Sequence, residues 1–502
     1  MISLIFRHKH RLLDAMLADP VGQQQKLFRK FIRQGQSTSF GKDHHFNQIS
    51  DYQDFTKNVP LRDYEALRPY LDRVVQGERN VLWPGKPIFL GKTSGTTSHT
   101  KYLPVTSASL SNQIHAPQYV GINYGLRYHK FDFLKGKSLL FSDGHFFEQV
   151  NGIKAAPIST IANSCIPFWF RGRRIPSDAI NAIPDYETRI DAMIRAALGQ
   201  DIRMIVAMPV WLLVFLRALE KKTGKRFSQL FPNFRLLLLS GMDYEPFLPE
   251  IRQYIDLPFD VLETFPSTEA FIAYQDRLEE RGMQLVLNNG IFFEFVPLES
   301  VASLNPQRLS LAEVQVGATY ALVLNTNAGL WGYLNGDTVR FRSVFPHRIE
   351  ITGRIAQYIS AFGEHITVEE TDKSLAETAR QFGATVVEYT VAPHISHDGY
   401  LPYHEWFIEF GNPPTDLPAF ARSLDEKLQL RNFSYKDVVV HKAIAPLKIR
   451  LMPKGGFEQF LQASGKTGFQ RKIPHLSNHD KLARAINETI FQLHSDSNGN
   501  DT

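Results

Sequence analysis

Thr93-Ser94-Gly95-Thr96-Thr97-Ser98-His99-Thr100-Lys101 runs into Tyr102-Leu103-Pro104 and follows an apolar run, Pro87-Ile88-Phe89-Leu90. One loop thus concentrates hydroxyls, a glycine and a lysine. Hydroxyls and free backbone N–H groups are what a polyphosphate needs to be cradled, and lysine adds a point charge for it. Gly95 lets the backbone approach the phosphates. A Walker loop is the first alternative, because Gly91-Lys92-Thr93 reads G-K-T. That motif requires a glycine with four residues between it and the G-K. Lys86 occupies that place, and the second G-K-T, Gly465-Lys466-Thr467, has Phe460 there. Both Walker readings fail.

Around this loop the chain is an ordinary globular sequence. It has 502 residues, 43% of them apolar and 21% charged, a length that suggests about three domains. The formal charge of +5 is a small surplus of 56 basic over 51 acidic residues, which gives no nucleic-acid signature. The one dense basic cluster, Arg171-Gly172-Arg173-Arg174, reads as a solvated loop. A single cysteine, Cys165, excludes an internal disulfide framework, suits a reducing cytoplasm and reads as a small buried hydrophobe. The opening Ile2-Ser3-Leu4-Ile5-Phe6 is too short for a signal sequence. The most apolar stretch, Met204 to Leu216, is broken by Pro209 and too short to span a bilayer, so no membrane partner is expected. It reads as a buried strand running into a helix.

Apolar residues recur at helix spacing up to about Phe40: Leu12, Leu13, Met16 and Leu17, then Leu27, Phe28, Phe31 and Ile32. From Phe89 to about Phe345 strand-like runs alternate with helical ones, as at Ser138-Leu139-Leu140-Phe141, Met204-Ile205-Val206 and Arg235 to Leu239. Such alternation predicts an α/β body with largely buried strands. Gly290 to Phe295 and Tyr320 to Leu324 are strands closer together, predicting a barrel-like or antiparallel portion. Near Gly353 the texture changes. Strands at Thr385 to Val391 and His404 to Phe410, with a helix around Leu417 to Leu430, predict a smaller α+β domain. The expected division is a large N-terminal domain over 1–350 and a mobile C-terminal domain over 351–502, with a polar, disordered end from Ser495 to Thr502.

The Thr93–Lys101 loop resembles the S-G-T-T/S-G-x-P-K phosphate loop of adenylate-forming enzymes, the superfamily of acyl-CoA synthetases, peptide-synthetase adenylation domains and luciferases. Ser98 stands in place of the second glycine and Thr100 in place of the proline. By that resemblance Ser94, Gly95, Thr96, Thr97 and Ser98 bind the phosphates of ATP, and Lys101 is catalytic. Forming acyl-AMP brings a carboxylate to a phosphate, so cations and a metal must offset the repulsion. Mg²⁺ suits this task, since it takes oxygen ligands and few of them from protein.

Three further segments fit the same resemblance. Thr264-Phe265-Pro266-Ser267-Thr268-Glu269 resembles the Y-G/A-x-T/S-E segment. It implies Glu269 as the Mg²⁺ ligand, Thr268 by the α-phosphate, Phe265 against adenine, and Ser267 with them in the nucleotide site. On chemistry alone, Glu269 could equally be an acid opening a helix. Tyr333-Leu334-Asn335-Gly336-Asp337-Thr338-Val339 resembles Y-R-x-G-D-x-V and implies Asp337 on the ribose hydroxyls, although Asn-Gly-Asp is also good turn chemistry. Ile351-Thr352-Gly353-Arg354 resembles the hinge between the two domains, with Arg354 at the ribose or phosphate. Lys101, Glu269, Asp337 and Arg354 come in the order the superfamily uses.

The text between these motifs is similar to the acyl-acid amido synthetases, the Gretchen Hagen family, known for plant enzymes that conjugate auxin or jasmonate to amino acids. The similarity lies in Pro60-Leu61-Arg62-Asp63-Tyr64-Glu65, Gly77 to Gly85, Asn288 to Phe295, Thr326 to Trp331, Phe362-Gly363-Glu364 and Gln470-Arg471-Lys472-Ile473-Pro474. It runs from about Thr38 to His475 and is closer to the shorter bacterial members. Membership implies an acid activated by MgATP as acyl-AMP, then an amine, usually of an amino acid, displacing AMP. The small domain swings between the steps, and Lys472 reaches the phosphates in one state. Candidate walls for the acid are Gln113 to Tyr124 and Ala207 to Trp211. An acyl-CoA synthetase, or a binder of nucleotide and acid without turnover, are the alternatives.

Overall fold

A computed structural model gives the fold. It describes residues 14, 17–93, 101–142, 146–166, 171–241, 244–245, 247–301, 303–355, 358–359, 361–362, 364, 366–394, 401–440, 444–464, 473–477 and 480–491. The chain divides into two units: residues 1–335 with 339–351, and residues 336–338 with 352–502.

In the first unit, strands β1 (Phe89–Thr93), β2 (Lys101–Val105), β3 (Lys137–Leu140), β4 (Glu148–Val150), β5 (Ile153–Pro157), β6 (Arg174–Ile175) and β7 (Ile202–Ala207) come first. They are followed by β8 (Leu236–Ser240), β9 (Asp260–Pro266), β10 (Phe271–Tyr274), β11 (Met283–Leu285), β12 (Ile291–Pro297), β13 (Thr319–Thr326), β14 (Tyr333–Val344) and β15 (His347–Arg354), of which residues 336–338 and 352–354 count with the second unit. Eleven of these form one sheet in the order β12-β13-β14-β15-β11-β10-β9-β8-β7-β3-β6. From β9 to β6 the pairs are parallel; β10 and β11, and the pair β12 and β13, run antiparallel to their neighbours. The expected barrel-like or antiparallel portion is this second half of the sheet.

The parallel half is buried on both faces, which is why Leu236 to Leu239 read as an unbroken apolar run. Ile205, Leu237 and Leu239 pack with Leu212, Phe215 and Leu216 of the helix Pro209–Thr223. Pro209 opens that helix at its first turn, where its missing N–H costs nothing, and Gly224 ends it at φ +62°. The strand-into-helix reading of Met204 to Leu216 is what forms. Edge strand β12 is shielded by the helix Pro20–Gly35. The Gln24 amide donates to the carbonyls of Leu287 and Ile291 (2.9 Å each) and accepts the Phe293 N–H at 2.9 Å. Phe28, Phe31 and Ile32 of this helix are buried, as their spacing requires, while Leu12, Leu13 and Met16 lie outside the described residues.

Two readings need correction. Arg171 and Arg173 are exposed, but Arg174 is buried in β6 and paired with Asp178, because a parallel strand draws it into the sheet. Cys165 is half-buried rather than buried, against the Val105, Leu110, Ala156 and Ile161 cluster.

The second unit contains β16 (Tyr358–Ile359), β17 (Ile366–Thr367), β18 (Thr385–His394), β19 (Tyr403–Asn412) and β20 (Lys448–Met452). The last three form a sheet, β18 antiparallel and β20 parallel to β19. Strand periodicity sends Trp406 and Ile408 to one face, with the helices Val368–Gln381 and Leu417–Arg431. Phe407 goes to the other, with Phe457, Phe460 and Ile486. This is an α+β unit. The expected disordered end from Ser495 lies outside the described residues.

Candidate active site

β1 and β2 form an antiparallel hairpin with Gly91 opposite Leu103 and Thr93 opposite Lys101. The connecting residues 94–100, and with them Ser94, Gly95, Thr96, Thr97 and Ser98, lie outside the described residues. The frame of the loop is described. Gly91-Lys92-Thr93 is strand and not a Walker loop. Lys92 is paired with Glu148 at 3.2 Å, and Glu148 also accepts the Tyr102 hydroxyl at 2.7 Å. Burial, and then this carboxylate, push the Tyr102 phenol up to about 12. Lys101, by contrast, has its ammonium 4.9 Å from the centre of the Tyr64 ring.

Glu269 sits in the turn between β9 and β10, so the alternative of an acid opening a helix does not arise. Ser267 closes this turn. Its N–H donates to the Ala270 carbonyl at 2.9 Å, and its hydroxyl oxygen accepts the Ala270 N–H at 3.2 Å. The Gln113 amide donates to the Ser267 carbonyl at 3.1 Å, fastening the turn to the helix Ser107–Tyr128 that follows β2. Thr268 brings the turn against the hairpin: a Cβ on Gly91 would lie 2.7 Å from its methyl group. Only glycine at 91 permits that approach. Ser267, Thr268 and Glu269 are therefore held beside the strand from which the Ser94–Thr100 loop springs. Phe265, one strand position earlier, is 7% exposed and packs in the core of the antiparallel half, so only a small part of its ring is free for a base.

Asp337 and Arg354 belong to the second unit. Asp337 lies within β14, not in a turn, because Gly336 takes φ +90° inside the strand and lets it continue. Thr338 is bonded to Thr352, hydroxyl to hydroxyl at 2.9 Å. Gly353 adopts φ +138°, open only to glycine in practice, beside Thr338 and Val368. Arg354 ends β15, and its side chain is outside the described residues, as is all of Lys472. The residues after Lys472 are anchored. Thr390 donates to the Pro474 carbonyl at 2.6 Å, and the Val391 N–H donates to the His475 carbonyl at 2.8 Å. His475 lies 3.3 Å from Asp372 and 3.2 Å from Glu388. Burial alone would lower its pKa, but the two carboxylates outweigh it and raise it to about 10.

Sequence reasoning missed Gly91, Tyr64 and His475, and gave Gln113 only as a wall for the acid. Tyr64 had a signal, since it stands in the Pro60–Glu65 segment; Gly91 was hidden in the false G-K-T.

Among the described residues no group of three or more His, Cys, Asp or Glu could hold a metal. Mg²⁺ needs no such group, because it takes one or two protein carboxylates and fills its shell with water and phosphate oxygens. Glu269, in the turn beside the β1–β2 hairpin, could supply one such carboxylate.

The fold is shared with adenylate-forming ligases. The chain superposes on 2-hydroxyisobutyryl-CoA ligase in its postadenylation state with 2-HIB-AMP at a TM-score of 0.60, 14% identical, covering 95% of this chain and 91% of that one. With GH3.15 acyl acid amido synthetase the TM-score is 0.79, at 17% identity and 96% coverage of both chains. Models of the GH3 family N-terminal domain (residues 9–230), central domain (284–354) and C-terminal domain (369–481) match in succession. The chain belongs to the GH3 family. It is similar to jasmonoyl–L-amino acid synthetase JAR4 of Nicotiana attenuata, 23% identical over 87% of each chain. To indole-3-acetic acid-amido synthetase GH3.3 of Arabidopsis thaliana it is 21% identical over 96% of this chain and 94% of that one. The protein is a ligase of the adenylate-forming class.

Proposed function

We infer that this chain is an ATP-dependent acyl-acid amido synthetase, which activates a carboxylic acid as acyl-AMP and passes the acyl group to an amine, most simply that of an amino acid. The observation that carries the reading is the contact between Thr268 and Gly91, which holds the Glu269 turn against the foot of the phosphate loop. In the first step a carboxylate oxygen attacks the α-phosphate and pyrophosphate leaves. Lys101 and the Ser94–Ser98 loop take the phosphates, Thr268 the α-phosphate, and Glu269 holds Mg²⁺, which when bound supplies charge neutralisation between the two anions. Ser267 shapes the turn, Phe265 offers the base its uncovered surface, Asp337 accepts from the ribose hydroxyls, and Arg354 and Lys472 add positive charge. In the second step a neutral amine attacks the acyl carbonyl. The bond to AMP breaks, and the amine proton is lost as the amide forms. The N-terminal domain, expected over 1–350, carries Lys101, the Ser94–Ser98 loop, Phe265, Ser267, Thr268 and Glu269, and the C-terminal domain, expected over 351–502, supplies Arg354 and Lys472.

Pyrophosphate release from MgATP, measured across a panel of carboxylic acids with and without mixed amino acids, tests this. Acid-dependent release with an amide product is expected. A thioester formed only with coenzyme A, or no release from any acid despite bound ATP, contradicts it.

A further inference from the structure

We propose that Tyr64 is the positioning residue for Lys101, holding its ammonium at the foot of the phosphate loop while leaving its charge unneutralised. The proposal rests on the assignment of Lys101 to the phosphates. Two lysines flank this hairpin, and they have different partners. Lys92 faces the Glu148 carboxylate at 3.2 Å, which cancels its charge locally. Lys101 faces the Tyr64 ring, 4.9 Å from ammonium to centroid. A ring face attracts a cation through its quadrupole and carries no net charge, so it orders the lysine without competing with an incoming phosphate. A free lysine would spread over many rotamers in water.

Tyr64 also sets the backbone that carries Lys101: its hydroxyl oxygen accepts the N–H of Tyr102 at 3.1 Å. Burial raises its own pKa, which keeps the phenol neutral and able to accept. The residue is itself held from both directions. It is the first residue of the helix Tyr64–Val75, where Asp63 caps by accepting the Ala66 N–H at 2.9 Å. Arg62, two residues before, donates its N–H to the Gly332 carbonyl at 2.9 Å and accepts the Leu334 N–H at 2.8 Å. The Pro60–Glu65 segment thus ties the start of β14 to the hairpin through a single aromatic side chain.

The test is a double-mutant cycle on ATP–pyrophosphate exchange, using the best acid of the panel at saturation. Y64L is expected to raise KM for ATP about tenfold while leaving KM for the acid unchanged. Y64F, which keeps the ring but loses the hydroxyl that accepts the Tyr102 N–H, should fall between the parent and Y64L. In a K101M background Y64L should add nothing, because its target is gone. If Y64L melts early, Y64M fills the space without a π face and serves in its place. Independent, multiplying effects of the two changes, or equal shifts in both KM values, overturn the proposal and leave Lys101 standing. A K101M protein with unaltered KM for ATP removes the phosphate assignment itself, and the proposal with it.

Discussion

Glu269 carries the only carboxylate in the β9–β10 turn, and backbone and side-chain bonds from Ser267 to Ala270 and from Gln113 to Ser267 hold the turn. Its removal should therefore spare the fold and strike the chemistry. We expect E269Q to lower kcat/KM for adenylation on the order of 100-fold, with an unchanged melting temperature; an active E269Q would remove the metal assignment. Gly91 makes the converse case. An alanine Cβ would meet the Thr268 methyl at 2.7 Å, a distance no real contact tolerates. G91A should cost about 1–3 kcal/mol in urea unfolding and impair adenylation as well, since relief comes by moving the turn. Loss of stability with full activity would show that the turn's position does not matter. The candidate chemistry at these residues is read from hydroxyls, lysine and acid written in order along the chain. Conformation was less so. Asn335-Gly336-Asp337 is turn chemistry, yet it lies in β14, because Gly336 absorbs a positive φ without ending the strand.

Among elements, β12 shows why some strands are easy to read and hard to place. Both its faces are covered, Phe292 by the helix Pro20–Gly35 cluster and Phe293 with Phe295 by the core of the antiparallel half, so it reads as a solid apolar run. The run names a strand. It does not say that the strand lies at the edge of an eleven-stranded sheet, which depends on contacts distant in sequence. Glu294 interrupts the run at full burial. It is satisfied by Arg308 (2.9 and 2.8 Å), Tyr52 (2.9 Å) and Asn325 (2.7 Å), joining three elements. Breaking a buried pair leaves the other charge stranded, so E294L should lower stability by about 3–5 kcal/mol in urea unfolding, and a loss below about 1 would mean the network is dispensable.

In the second unit the same logic gives a pH dependence. His475 holds its proton between Asp372 and Glu388 with a pKa of about 10 against 6.5 unperturbed. The folded state binds the extra proton between those values, so this contribution is complete below about pH 6.5 and is lost as pH rises to about 10. Melting temperature should fall across that window, and H475Q should flatten the slope. An identical slope in both proteins would show that the pairing does not stabilise the fold.

At the scale of the whole molecule, no helix among the described residues is long and apolar enough to cross a membrane. The chain spans nearly the full length of GH3.3, 94% of it. Two units, a mixed sheet and a small α+β body were legible from texture, because strand and helix periodicities differ and change near Gly353. The identity of the acid was not legible. Apolar residues such as Leu212 and Leu213 face a core, and sequence spacing cannot separate a pocket wall from packing.

The central claim is that an acyl-adenylate forms first and an amine consumes it. Its most direct test is mass spectrometry of a quenched reaction containing enzyme, MgATP and the acid preferred in the panel, followed by a chase with amino acids or with coenzyme A. The account predicts acyl-AMP before the chase, then an amide and AMP on adding amino acids. Acyl-AMP that yields only a thioester, or no acyl-AMP at all, would contradict it.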